Sequence, residues 1–65
     1  MEIILNGEKK QLEGNITVTG LLGSLGMNRC VAVFINGRQL LMAEYETTHI
    51  NEFDKVRIFR PLSGG

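Results

Sequence analysis

Apolar and polar residues alternate with two different periods along this chain, and the changes of period mark its elements. Met1, Ile3 and Leu5 alternate with Glu2 and Ile4, and the run ends at Asn6-Gly7, the pair best suited to the positive φ values of a type I′ hairpin turn. The spacing predicts a first β-hairpin whose return strand, Glu8 to Glu13, is polar except for Leu12. Such a strand suits a sheet edge, where Lys9 and Lys10 discourage pairing with another chain. Gly14-Asn15 breaks the pattern. From Thr17 the period lengthens: Val18, Leu21, Leu22 and Leu25 form the stripe of an amphipathic helix of about two and a half turns, with Thr17 as N-cap and Gly26 as C-terminal cap. Gly20 and Gly23 inside it each cost about 1 kcal/mol relative to alanine, so packing on a sheet must hold this helix in place.

Cys30 to Ile35 is rich in β-branched and aromatic residues and ends at Asn36-Gly37, with Arg38 to Met42 returning, which predicts a second hairpin. Ala43 to Thr47 reads as a short turn, Thr48 to Ile50 as a brief extended piece and Asn51 to Asp54 as another turn. Lys55 to Arg60 alternates as a last strand, with Val56 and Ile58 on one side and Lys55, Arg57 and Phe59 on the other. Two strands, a helix, two strands and a final strand make a small α+β roll. One helix covers one face of the sheet, so Ile3, Leu5, Val33, Ile35, Val56 and Ile58 are expected to pack against Val18, Leu21, Leu22 and Leu25. The other face stays open and carries Ile4, Phe34 and Phe59, either as a docking surface or as scattered surface hydrophobes.

At 65 residues the chain holds one small domain, which buries about 60% of its unfolded surface and has little room for an enclosed active site. Seven Lys and Arg balance seven Asp and Glu, so charge gives no reason to expect nucleic acid or an anionic membrane as partner. The single cysteine points to a reducing compartment, and neither a signal peptide nor a membrane span is recognisable, so a cytoplasmic protein is expected. The catalytic inventory is thin. With one histidine and one cysteine there is no pair at metal-ligand spacing. His49 reads as a solvated strand residue and Cys30 as a small buried hydrophobe. Gly20-Leu21-Leu22-Gly23-Ser24-Leu25-Gly26 has neither dinucleotide nor phosphate-loop spacing. Glu44, Glu46, Glu52 and Asp54 fall in turns and read as solvated charges.

The closing residues stand apart. Pro61, Leu62, Ser63, Gly64 and Gly65 follow the last strand, and five extended residues reach roughly 16 Å, enough to thread into a partner's active site. Glycines lack the Cβ that would jam in a narrow tunnel; alternatively, the segment is an ordinary frayed terminus. The domain is thus expected over 1–60 and a flexible tail over 61–65.

The two Asn-Gly hairpins around one helix resemble the ubiquitin-like sulfur carriers across essentially the whole chain. So do Val31-Ala32-Val33-Phe34-Ile35-Asn36-Gly37, Glu44-Tyr45 followed by Thr47, Asp54 before the last strand, and Gly64-Gly65. The nearest likeness is to the thiamine-pathway carriers of the ThiS type, with the small subunit of molybdopterin synthase, MoaD, second. The tail is more similar to the latter; the short length and the Glu44 to Thr47 segment are more similar to the former.

The resemblance implies a β-grasp fold: a mixed sheet of four to five strands with one main helix packed on one face. It also implies a protein co-substrate in place of an enzyme. A ubiquitin-activating-type adenylyltransferase would adenylate the Gly65 carboxylate with ATP, and sulfur from cysteine, delivered through a desulfurase or sulfurtransferase, would convert it to a thiocarboxylate. Thiazole synthase would take that sulfur, or alternatively the large molybdopterin synthase subunit. No cofactor or metal would be bound by the chain itself. Leu62, Ser63 and Gly64 would present the tail, and Phe34, Phe59, Arg57 and Arg60 would dock the partner. A ubiquitin-like protein modifier and a plain interaction domain are the other readings of the same fold.

Overall fold

The computed structural model describes residues 1–28 and 30–60. Its elements follow the order β1 (Glu2–Leu5), β2 (Glu8–Gln11), α1 (Val18–Ser24), β3 (Ala32–Ile35), β4 (Arg38–Gln39), a 3₁₀ turn (Met42–Glu44) and β5 (Lys55–Phe59). The five strands form one sheet in the order β2-β1-β5-β3-β4. β1 and β5 run parallel at its centre, and every other pairing is antiparallel. The last strand therefore threads between the two hairpins.

Both hairpins turn as their sequences predict. Asn6 and Gly7 have φ of 49° and 85°, and Asn36 and Gly37 have 51° and 86°, the paired positive values of a type I′ turn. β2 is an edge strand, as its polar sequence predicts.

The helix is capped at both ends. The first-turn N–H groups of Val18 and Thr19 donate to the carbonyls of Thr48 and Tyr45, and that of Gly20 donates to Thr17 Oγ1. At the other end Gly26, at φ 71°, donates to the Gly23 carbonyl while Met27 donates back to Leu22, a Schellman motif. The helix is nevertheless shorter than its apolar stripe predicts: Leu25 is the C-cap and only half buried. Gly20 has a packing reason. A Cβ there would come within 2.9 Å of Ile16 Cγ1, whereas one at Gly23 would meet nothing within 4 Å.

The core lies between the helix and one sheet face. Ile3, Val33, Val56 and Ile58 from the strands meet Val18, Leu21 and Leu22 from the helix, all buried, while Leu5 and Ile35 sit at its margin. Val31, Leu40, Tyr45 and Ile50 join them: Val31 and Leu40 from the two arms of the second hairpin, Tyr45 and Ile50 from the irregular stretch that follows it. Tyr45 explains how an irregular segment reaches the core: its ring is buried and its hydroxyl donates to the Val31 carbonyl at 2.6 Å, so its polar atom is satisfied inside.

Three expectations need correcting. The return strand of the second hairpin covers only Arg38–Gln39, because Met42 already begins the 3₁₀ turn. Cys30 is exposed: strand β3 begins two residues later, and the Cys30 N–H is drawn to Asn28 Oδ1 in a local turn before the chain enters the sheet. Asp54 and Glu44 are not simply solvated. Asp54 is buried and accepts from the Asn51 N–H at 2.8 Å and from Asn36 Nδ2 at 3.0 Å. Glu44 reaches back to the Leu41 N–H at 2.8 Å, as the third residue of a helix start often does, and pairs with Arg38 at 3.3 Å.

Candidate functional site

β5 carries Arg57 and Phe59 of the candidate docking residues, pairs with the strand that carries Phe34 and precedes the tail in sequence, so its anchoring decides where the site sits. Strand alternation points the N–H and C=O groups of Lys55, Arg57 and Phe59 toward β3, and those of Val56 and Ile58 toward β1. β1, however, turns away at Asn6-Gly7 before it reaches Ile58. The Asn6 side chain fills the gap: Oδ1 accepts from the Ile58 N–H at 2.8 Å and Nδ2 donates to the Ile58 carbonyl at 3.3 Å. At the start of the strand Asn36 does the same work from the other hairpin. Its Oδ1 accepts from the Lys55 N–H at 3.0 Å, while its Nδ2 is held by Asp54. Both Asn-Gly asparagines therefore shape a turn with their backbone and clamp β5 with their amide.

The face opposite the helix is apolar at its centre and basic around it. Phe34 and Phe59 meet edge to face with ring centroids 5.8 Å apart, and the Arg57 guanidinium lies 5.0 Å from the centre of the Phe59 ring. Register places Arg57 opposite Phe34, and it sets Ile4 between Lys9 and Lys55. Lys9, Lys55 and Arg57 thus share this face with Glu2 in a chain of zero net charge, a local excess of positive charge. A shallow cavity of about 500 Å³, lined by Ile4, Lys55, Arg57 and Phe59 among others, runs along the β1 and β5 pair.

Of the docking residues expected from sequence, Phe34, Phe59 and Arg57 stand together on this face, and Arg60 is exposed at the end of β5. Phe34 is half buried against Phe59 while Phe59 is 44% exposed, so Phe34 contributes to stability as well as to the surface. Leu62, Ser63, Gly64 and Gly65 lie outside the described residues. Alternation put Lys55 on the side of Arg57 and Phe59 without naming it as a docking residue, and Lys9 was read only as an edge charge; strand register is what brings both beside Ile4. Leu41 and Met42, exposed at 70% and 49%, were missed. Their signal was available: three consecutive apolar residues, Leu40-Leu41-Met42, cannot all face inward from one strand.

His49 is exposed and bridges to Thr17. Among the described residues, no three His, Cys, Asp or Glu side chains cluster to hold a metal ion, and no helix is long and apolar enough to cross a membrane. The Leu41 N–H first, and then the Arg38 guanidinium, hold the Glu44 carboxyl below the ordinary value of 4.5.

A mixed five-stranded sheet that grips one capped helix, with its central last strand leading off the end of an open apolar and basic face, defines a β-grasp domain of the ubiquitin-like class. The ThiS family profile matches residues 3–65, and the chain belongs to that family of small sulfur carriers of thiamine biosynthesis. The crystal structure of a thiamine biosynthesis protein (ThiS) from Geobacter metallireducens superposes with a TM-score of 0.86 at 28% identity, covering all of both chains. An NMR structure of a thiamine biosynthesis protein from the same organism gives 0.78 at 29% identity, covering 100% of this chain and 87% of that one. A curated relative, thiazole synthase of Paramagnetospirillum magneticum, is 35% identical over 66 residues. That match takes in 100% of this chain but only 20% of the relative, so the chain spans about a fifth of that protein's length.

Proposed function

We propose that this protein is a co-substrate and not itself a catalyst: a carrier whose Gly65 carboxylate is adenylated by a ubiquitin-activating-type partner and then converted to a thiocarboxylate. The observation that carries the reading is the family match through residue 65, which takes in Gly64 and Gly65. A carboxylate is a poor electrophile. Joining it to AMP, with release of pyrophosphate from ATP, makes an acyl-phosphate anhydride; hydrosulfide attacking the carbonyl carbon expels AMP and leaves the thiocarboxylate, whereas a persulfide donor gives an acyl disulfide, from which a second thiol releases the thiocarboxylate and keeps the donor sulfur as a disulfide. The sulfur so installed is more nucleophilic than the oxygen it replaces and suits transfer to a second partner.

The chain's own residues serve presentation. Asn6 and Asn36 fix β5, and the open face with Phe34, Phe59 and Arg57, together with Arg60, gives a partner something to grip beside the tail. Leu62, Ser63 and Gly64 lead from there to Gly65. Thiazole synthase is the proposed sulfur acceptor, a reading supported by the relative of that name in which a segment like this chain forms part of a longer protein. The sulfur would come from cysteine through a desulfurase or sulfurtransferase, in the cytoplasm.

The test is pyrophosphate release from ATP by the activating partner in the presence of the full chain. Release should depend on the chain and be lost on deletion of Gly65, with the melting transition unchanged. Release that survives the deletion would refute the assignment of Gly65.

A further inference from the structure

Among the described residues, Leu41, Met42 and Phe59 are three of the four large hydrophobic residues that stand exposed, the fourth being Phe53. They come from different elements, yet all three line one groove of about 540 Å³, together with Val31, Ala32 and Arg60. This groove runs past the end of β4, which stops at Gln39 opposite Phe34 and so leaves the outer edge of β3 without a strand beside Ala32, whose other edge pairs with Phe59 of β5. Leu41 is held in the open. Its N–H is bound by the Glu44 carboxylate at 2.8 Å, and that carboxylate is itself held by Arg38 through both guanidinium nitrogens, at 3.3 and 3.5 Å. An aliphatic side chain carried out into water by a backbone that a polar clasp holds in place is exposed at a cost in hydration, which burial on association would recover.

We infer that this groove receives apolar side chains of the protein that adenylates Gly65, an inference that rests on the function proposed above. Position argues for that occupant. Gly65 lies five residues beyond Arg60, so a partner that holds the Gly65 carboxylate stands within roughly 16 Å of Arg60, at the groove's edge. Phe59 belongs to both the groove and the open sheet face, so a surface that covers Phe59 from the sheet side runs continuously on to Leu41. Charge points the same way: Arg57 and Arg60 are exposed beside the groove, which asks for a partner with an acidic rim around its apolar projection. Leu41 and Met42 thereby extend the docking surface around the sheet edge and give the partner purchase on two sides of the strand that leads to the tail.

The experiment is steady-state adenylation, read as pyrophosphate release by the activating partner while the concentration of the full chain is varied. Leu41→Ser and Met42→Gln are each expected to raise the KM for the carrier about tenfold, with kcat unchanged, as loss of an interface anchor does. Phe53→Ser, which removes an equally exposed hydrophobe outside the groove, should leave both constants as they were. Wild-type turnover with an unchanged KM for Leu41→Ser and Met42→Gln overturns the groove assignment alone. An equal rise for Phe53→Ser overturns it too, because any exposed hydrophobe would then serve. Absence of wild-type turnover overturns the proposed function, and the groove's occupant with it.

Discussion

Replacing Asn6 by glycine removes the amide that completes β5 while keeping a residue that accepts φ near 49°. The Ile58 N–H and C=O, part-buried partners of that amide at 2.8 and 3.3 Å, are left facing a strand that has already turned away. A net hydrogen bond contributes about 0.5–1.5 kcal/mol, and a buried group left unpaired costs more than the average, so losing both should destabilise the domain by about 1–3 kcal/mol. For a domain of this size each kcal/mol lowers Tm by about 4–8 °C. Urea denaturation and a thermal melt measure the total; amide hydrogen exchange localises it, with the Ile58 N–H, whose acceptor is Asn6 Oδ1, losing protection before the N–H of Val56, which lies in the stretch of β5 that pairs with the β1 backbone. A stability change within about 0.5 kcal/mol, the ordinary range of a surface substitution, together with unchanged exchange at Ile58, would refute the clamp.

Further outcomes follow from other contacts. Gly23→Ala should stabilise the protein by about 1 kcal/mol, because a Cβ there meets open space, whereas Gly20→Ala should gain much less or lose stability against Ile16; paired urea titrations compare them. Phe59→Ala should weaken association with the activating partner by about 1–3 kcal/mol in a calorimetric titration; Phe34→Ala should also lower thermal stability, through loss of the edge-to-face pair worth about 0.5–1.5 kcal/mol. Arg57→Glu or Arg60→Glu should slow association more at low salt than at high salt in stopped-flow mixing. Glu44 titrates below 4.5 when folded, so its contribution to stability is present above that value and is lost as pH falls through the folded pKa. Glu44→Gln should therefore flatten the acid limb of the stability curve.

How much of this was legible in the sequence depends on whether one local signal was enough. Asn6-Gly7 and Asn36-Gly37 announced both hairpins because a type I′ turn needs positive φ at two adjacent positions and few residue pairs allow it. The helix was legible from the 3.6-residue stripe and its C-terminal cap from Gly26, but its last turn was read too long, because Leu25 continues the stripe and yet is the C-cap. The second role of the asparagines was not legible, since which backbone atoms their amides meet depends on β5 arriving from some fifty residues away. Tyr45 and Ile50 entered the core from an aperiodic stretch for the same reason: tertiary contacts, not periodicity, decide their burial. Cys30 was misread because a strand-like composition begins two residues before the strand does. On the open face, alternation placed Phe59, Arg57 and Lys55 on one side of β5 and Phe34 on the matching side of β3, while the place of Lys9 and Lys55 on either side of Ile4 required the register of β1 against two neighbours.

The central claim is that Gly65 carries sulfur. Its most direct test is the intact mass of the full chain after incubation with the activating partner, ATP and a cysteine-derived sulfur source. The mass should rise by the difference between one sulfur and one oxygen, the added sulfur should map to the fragment that contains Gly65, and the rise should vanish when Gly65 is deleted. An unchanged mass under conditions that charge another ThiS-family carrier, or a rise that persists without Gly65, would contradict the account.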